Sequence, residues 1–525
     1  MPIARVTAAD RASTGDTGGD LFVAKVNELV DGINDVDGGF INLAAAPYHV
    51  TSGTNITSAL QTARDAAGGK RIYLPAGTYQ IDNYVASPVA MWLEGDGPGA
   101  TILERAANAT ALQMGGQVIA ASSTDLSSDA AAGDVELVVV STTGIAAGDY
   151  LAIASDEAWV GTTAAATTGE IVRVESVDSG TELTLHSPLA YAYATADNAA
   201  VQRLSMQPAV LRGLSFQHTT QGTTTALMLD IRCSIPLIED VEVLNSDGPA
   251  MQLQACIEGK IIRPRFVDLS NNAAASRYGY GVSLGAGCRD MRIIDPEMVG
   301  GRHCVTTAAS SASLVGGVAR ACVITGGTAR ECTNIPWDTH EEGDQITFVD
   351  CQVIDSLDSG FHMRAPNSRL VNPIVDNVKG AGIVLTATAT RSMVDGGRVS
   401  RCRAGPATNA YASQGVRLDG VEQEIINTRI HDTQEDGIRV AAVTGVRVAH
   451  VRVESAGLSG SNENGVRFVG GSGHYLEDVM ILDTETPVST TGGAATGFYR
   501  AVRQIRGGAA GTTTGVVAPG GWTAL

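Results

Sequence analysis

The chain has 525 residues, 61 of them Gly, with 5% aromatic and 18% charged side chains and a formal net charge of −20. That charge repels phosphate backbones and leaves no basic patch of the extent a nucleic acid needs, which excludes duplex DNA and RNA as partners. No apolar run approaches the roughly 18 residues of a membrane span and no cationic start precedes an apolar core, so neither membrane insertion nor a secretory signal is read.

Abundant Gly with Ala, Val and Thr suits many short strands joined by tight turns, which predicts an all-β chain. The eight cysteines lie between Cys233 and Cys402 without a CxxC pair. This is neither zinc spacing nor the disulfide framework of a short secreted domain, so they read as buried free thiols.

In chain order, residues 1–56 form a first region. Within it Leu21, Phe22, Val26, Leu29, Val30 and Ile33 recur mostly at spacings of three and four, predicting an amphipathic helix from Asp20 to Val36. Its apolar stripe requires a cover, either a larger assembly or the body of its own chain. Residues 57–115 hold a short helix over Thr57 to Ala67, the LPAGTY segment ending at Tyr79, and Trp92-Leu93-Glu94-Gly95-Asp96-Gly97. Residues 116–206 change texture: the segments around Val135 to Val140, Tyr150 to Ile153, Glu170 to Val177 and Glu182 to Leu185 read as strands of a small β-barrel or sandwich, serving carbohydrate contact or spacing.

From 207 to 486, short apolar segments led by Gly return repeatedly. Gly360, Gly382, Gly415, Gly437 and Gly465 are separated by 22, 33, 22 and 28 residues, and each opens a strand-like run such as Gly415-Val416-Arg417-Leu418. Between them lie 345–354, 368–375, 424–430 and 446–453, giving at least two strands per repeat. A period of this length with variable turns signals a solenoid whose coils stack because none buries its apolar side alone. Residues 487–525 read as a C-terminal cap or a segment that intertwines with partner chains.

Side chains alternate along a strand, so with Val416 and Leu418 inward Arg417 points outward. The same phase turns Arg439, Arg467, Ser283, His362 and Arg364 outward, and places Asp338 and His340 in solvent and His303 outward. Coils stack about 4.8 Å apart, which gathers His303, Asp338, His340, His362 and Arg364 into a patch of roughly 10 to 15 Å. The ladder Arg417, Arg439, Arg467 reads either as a track for an acidic glycan or as charge neutralised by Asp419, Glu454 or a neighbouring chain.

The 57–67 helix, LPAGTY and the LxGxG segment resemble the start of pectate-lyase-like right-handed parallel β-helix proteins. The 116–206 pattern, and the run RHCVTT, WDTHEEGDQITF and GFHMRAPN, resemble bacteriophage tail-spike polysaccharide depolymerases. The resemblance implies a homotrimer, to which an outward Val384 would contribute contact. It also implies attachment to a virion tail or baseplate through the N-terminal region, and action outside the host cell on a bacterial surface polysaccharide.

Two reactions fit the cluster. A lyase needs a base, with His340 or His362 as candidates, a carboxylate clamp, Arg364 or Arg302, and an acid, Tyr280. A hydrolase needs paired carboxyls, Asp338 with Glu341 or Glu342. No cofactor is expected; calcium on Asp338, Glu341, Glu342 and Asp344 is the one metal the acids suggest. A glycan-binding spike without catalysis and a structural fibre are the competing classes.

Overall fold

In a computed structural model, the structure describes residues 40–45, 47–82, 84–86, 88–105, 110–159, 166–219, 227–272, 278–307, 315–404, 413–456, 464–484, 486–491, 495–506, 513–516 and 522–524. The expected helix from Asp20 to Val36 lies outside the described residues. Among them, no helix is long and apolar enough to cross a membrane.

The chain is a parallel β-helix. Successive coils pair in parallel register, building one sheet of 29 strands and one of 13. The smaller sheet, here the active-face sheet, includes Tyr280–Leu284, His303–Thr307, Trp337–Thr339, Phe361–Met363, Ile383–Leu385, Val416–Leu418, Ile438–Val440 and Asn464–Phe468. Each coil contributes three strands, within the at least two read from the sequence. The segment 345–354, for example, is Thr347–Val349 and Gln352–Ile354, bent at Asp350 with φ 55°. Asn372, Asn427 and His450 bend later coils in the same way. A single left-handed residue turns the corner and shifts the apolar alternation by only one position, from Phe348 to Cys351, so the two strands look like one.

The Gly that opens each active-face strand is required by close approach. A Cβ on Gly415 would lie 2.5 Å from the Gly437 carbonyl, and one on Gly437 would lie 2.7 Å from that of Gly465. Stacked coils touch backbone to backbone at this corner, and only glycine leaves room.

Val, Ile, Leu and Phe side chains from all three strands fill the interior, with seven of the eight thiols among them. All eight cysteines are buried and free. The helix Thr57–Ala67 turns Leu60, Ala63 and Ala67 onto this core at spacings of three and four, closing its open end, and stops at Gly68 in the left-handed conformation.

Between Leu112–Gly115 and Ala209–His218 the chain leaves the solenoid to form six antiparallel strands in the order Gln117–Asp125, Ala200–Ser205, Tyr150–Ala158, Thr167–Val177, Glu182–Leu185, Glu136–Val138. The last strand returns to the first through the Leu126 and Val139 bridge, so the sheet closes into a barrel around Leu137, Leu151, Ile153, Val172, Leu183 and Val201.

Candidate functional site

Register fixes an outer column on the active-face sheet. Thr306 is followed, coil by coil, by Asp338, His362, Val384, Arg417, Arg439 and Arg467. The phase read from the sequence therefore gives the right direction, but direction is not exposure. Asp338, expected in solvent, is 0% exposed; His303 is 1% and His362 7%. Val384 is also fully buried, lying between His362 and Arg417, so it offers no surface to a partner chain.

Asp338 is the hub. Its Oδ2 accepts from Arg364 at 2.6 Å and from the Thr306 hydroxyl at 3.2 Å, and lies 3.1 Å from His340 Nε2 and 3.5 Å from His303 Nε2. Its Oδ1 lies 3.5 Å from His362 Nδ1. Burial alone would raise this carboxyl, but Arg364, ahead of the surrounding imidazoles, holds it well below the usual carboxylate range.

The histidines divide by environment. His303 Nδ1 donates to the Ile335 carbonyl, so Nε2 carries the lone pair and accepts from Arg302 Nε at 3.1 Å. Burial first of all pushes His303 down to about 3 and His362 to about 4, leaving both rings neutral. With His303 neutral, Arg364 is the cation that keeps Asp338 ionised. His340 differs: its side chain is 24% exposed, while Nε2 is covered and faces Asp338. A carboxylate at that nitrogen favours the proton on Nε2 and leaves the lone pair on Nδ1, which is 3.9 Å from Glu342.

The backbone around His340 is clamped. Its N–H donates to Thr307 Oγ1 at 2.9 Å, and the Thr307 hydroxyl donates to the His340 carbonyl at 3.3 Å. Thr339 Oγ1 accepts from the amides of Arg364 and Ala365. These threonines were invisible as site residues in the sequence, because their role depends on which coil lies next to them.

Tyr280 stacks on His303 at 4.9 Å and meets His340 edge-on at 6.4 Å; burial pushes its phenol up to about 12, so it stays protonated. Arg302 lies over the Tyr278 ring. Glu341 is 3.8 Å from Arg364, which donates Nε to the Thr339 carbonyl. All the candidates from Tyr280 to Arg364 are thus drawn together, whereas Arg417, Arg439 and Arg467 stand three to five coils further on, on the order of 14 to 24 Å from Asp338. Asp419 pairs with Arg417 at 2.6 Å and reaches Arg439 at 3.7 Å, while Asp436 lies 3.8 Å from Arg467. Glu454, expected to neutralise the ladder, pairs instead with Arg429 and Arg452.

His303, Asp338 and His340 bring three potential metal-ligand atoms within 4.8 Å of one another. The donors do not fit a cation: His303 Nε2 already accepts from Arg302 and Asp338 Oδ2 from Arg364, so two guanidinium groups face the same atoms. Asp344 is likewise engaged, by Asn367 and Tyr191. The acids suggested for calcium do not converge on an open oxygen site.

No protein-family model matches the chain. It resembles the tailspike gp49 of Pseudomonas phage LKA1, at 16% identity and TM-score 0.54 over 85% of this chain and 74% of that one. The Gp54 tailspike of Acinetobacter baumannii bacteriophage AP22, solved with A. baumannii capsular saccharide, matches at 12% identity and TM-score 0.54 over 92% and 80%. The chain has the tailspike fold. The tailspike gp61 of Pseudomonas phage phi297 matches at 15% identity and TM-score 0.51, over 85% and 71%. In sequence, the capsule K1-specific depolymerase of Klebsiella phage K64-1 is 24% identical over 268 residues, which cover 49% of this chain and 29% of that protein. The match thus spans less than a third of this relative's length.

Proposed function

We propose that this chain is a tailspike-like receptor-binding protein that depolymerises an acidic polysaccharide of the bacterial surface by β-elimination. The observation that carries the reading is the buried, ionised Asp338 holding Nε2 of the partly exposed His340, on the same outer column as three guanidinium groups. The likeness to phage tailspikes and to a capsule depolymerase supports a bacterial surface polysaccharide as substrate and association with a phage particle; a homotrimer attached to the virion tail through its N-terminal region belongs to the same proposal.

In this reading His340 Nδ1 removes the C5 proton of a uronic acid residue, the C4–O bond breaks, and a C4=C5 double bond forms. Tyr280, protonated at neutral pH, supplies the proton to the departing oxygen. Arg302 and Arg364 lie beside the reacting residue, where a guanidinium stabilises the charge that develops on its carboxylate. Hydrolysis is less well supported, because Asp338 is wholly buried and bound to Arg364 and so is badly placed to flank a glycosidic bond beside Glu341 or Glu342.

Incubation with uronate-containing capsule should release products that absorb in the ultraviolet. New reducing ends without that absorbance would mean hydrolysis, and binding without either product would mean a non-catalytic spike. His340→Ala should lower turnover by about 10²- to 10⁴-fold with glycan binding retained; full activity would remove His340 from the site.

A further inference from the structure

The segment Glu341 to Asp344, immediately after His340, swings off the active-face sheet to pair with Ala319–Arg320 of the preceding coil, and two further hydrogen bonds reach it from the inserted barrel. Trp159 Nε1 donates to the Glu341 carbonyl at 2.8 Å, across 182 residues of sequence. The Trp159 ring is 7% exposed, packs with Ala166 and Val318, and meets Tyr191 edge-on at 5.2 Å. Tyr191 in turn donates its hydroxyl to Asp344 Oδ2 at 2.9 Å, beneath the Arg320 guanidinium. Arg320 and Asp344 are strand partners and lie 3.8 Å apart as an ion pair.

The barrel side of this junction is itself fixed. Glu170, 5% exposed, accepts through one oxygen from the amides of Ala190 and Tyr191 and from the Tyr193 hydroxyl, pinning the loop that carries Tyr191. Barrel and solenoid also meet through backbone. A Cβ on Gly169 would lie 2.8 Å from Gly317 N, and one on Gly316 would lie 2.4 Å from Ala154 Cβ. Arg289 donates to the Ile171 carbonyl at 2.8 Å. Contact this close, without flexible side chains between the two bodies, does not allow them to slide.

We infer that the inserted barrel is a buttress for the catalytic coil, and that Trp159 is a positioning residue that sets the backbone from His340 to Asp344. This rests on the role given above to His340. A displacement of about 1 Å in a catalytic group costs on the order of a hundredfold in rate, so a single hydrogen bond that fixes the carbonyl after His340 bears directly on turnover.

Trp159→Phe keeps an aromatic ring in the pocket and removes the N–H; Tyr191→Phe removes the hydroxyl to Asp344. Each should lower kcat about tenfold with KM changed less than twofold. Val201→Ala, in the barrel core and outside the junction contacts just named, should lower the melting temperature at least as much and leave kcat within twofold. Hydrogen exchange of the amides from 341 to 345 should be faster in Trp159→Phe than in the parent, a readout that needs no activity. Unchanged exchange there, or a kcat loss in Val201→Ala equal to that in Trp159→Phe, would overturn the inference. Absence of product from the parent protein, with faster exchange in Trp159→Phe, would reject the functional reading and leave the buttress standing.

Discussion

Arg364→Met removes the cation from Asp338 while keeping a long side chain in place. In the parent, Asp338 is wholly buried and its carboxyl is held below the usual range, so its contribution to stability is present above the unfolded value of about 3.9 and lost only as pH falls through the depressed folded value. Without Arg364, burial is no longer opposed by a permanent charge, and the folded carboxyl moves above 3.9. The sign then reverses: the variant is penalised most at neutral pH, and the penalty shrinks as pH falls through the raised value. Leaving one member of a buried pair uncompensated costs about 3 to 5 kcal/mol. If most of that appears in unfolding, the variant should unfold in guanidinium roughly a hundredfold faster than the parent at pH 7.5. At pH 5.0 the ratio should be several-fold smaller. Replacing both partners, in Asp338→Asn with Arg364→Met, should recover much of the loss, because no uncompensated charge remains. Tryptophan fluorescence after mixing with denaturant reads all three proteins. A ratio that does not depend on pH, or one that grows on acidification, would refute the assignment of Arg364 as the charge that holds Asp338 ionised.

Burial holds His303 and His362 to about 3 and about 4, below the roughly 6.5 of a free imidazole. The unfolded chain therefore takes up more protons from about pH 6.5 downward, so the stability due to these neutral rings is complete above that pH and lost through the window below it. Unfolding should accelerate from pH 7 to pH 4.5, and His362→Gln should flatten that dependence. Burial, then Arg417 and Arg467, disfavour the charge on Arg439, and its ion-pair partner, Asp419, stands 3.7 Å away and is shared with Arg417, so an anionic group of the glycan beside the ladder would relieve the repulsion. Arg439→Gln should weaken binding of an acidic glycan by about fivefold, on the order of 1 kcal/mol, and reduce its dependence on ionic strength in titration calorimetry. Gly415→Ala would place a methyl 2.4 Å from Ile430 Cγ2 and 2.5 Å from the Gly437 carbonyl. Such overpacking should cost about 1 to 3 kcal/mol, seen as a lower melting temperature.

The solenoid was legible because its signals are local. The glycines at 360, 382, 415, 437 and 465 mark one corner that tolerates no Cβ, and alternation after each of them reports which side chains leave the core. The exact number of strands per coil was not legible, because Asp350, Asn372 and Asn427 turn the chain with one residue, and alternation resumes without a Gly or Pro cluster. For the site, strand phase correctly turned Asp338, His362 and Val384 outward, yet all three are buried. Direction is a property of one strand, whereas exposure depends on the neighbouring coils and their spacing in sequence varies. The same distinction explains why His303 reads as an outward member of the patch but is buried as an acceptor for Arg302: the carbonyl that fixes its tautomer belongs to Ile335, on the next coil. Trp159 lies furthest from legibility, since nothing within 182 residues of sequence announces that an indole in the barrel will meet the Glu341 carbonyl. Chemistry on a solenoid face is therefore assigned by the pairs that stacking creates. Asp338 acquires a defined task only because Arg364 fixes its charge and His340 faces the same oxygen.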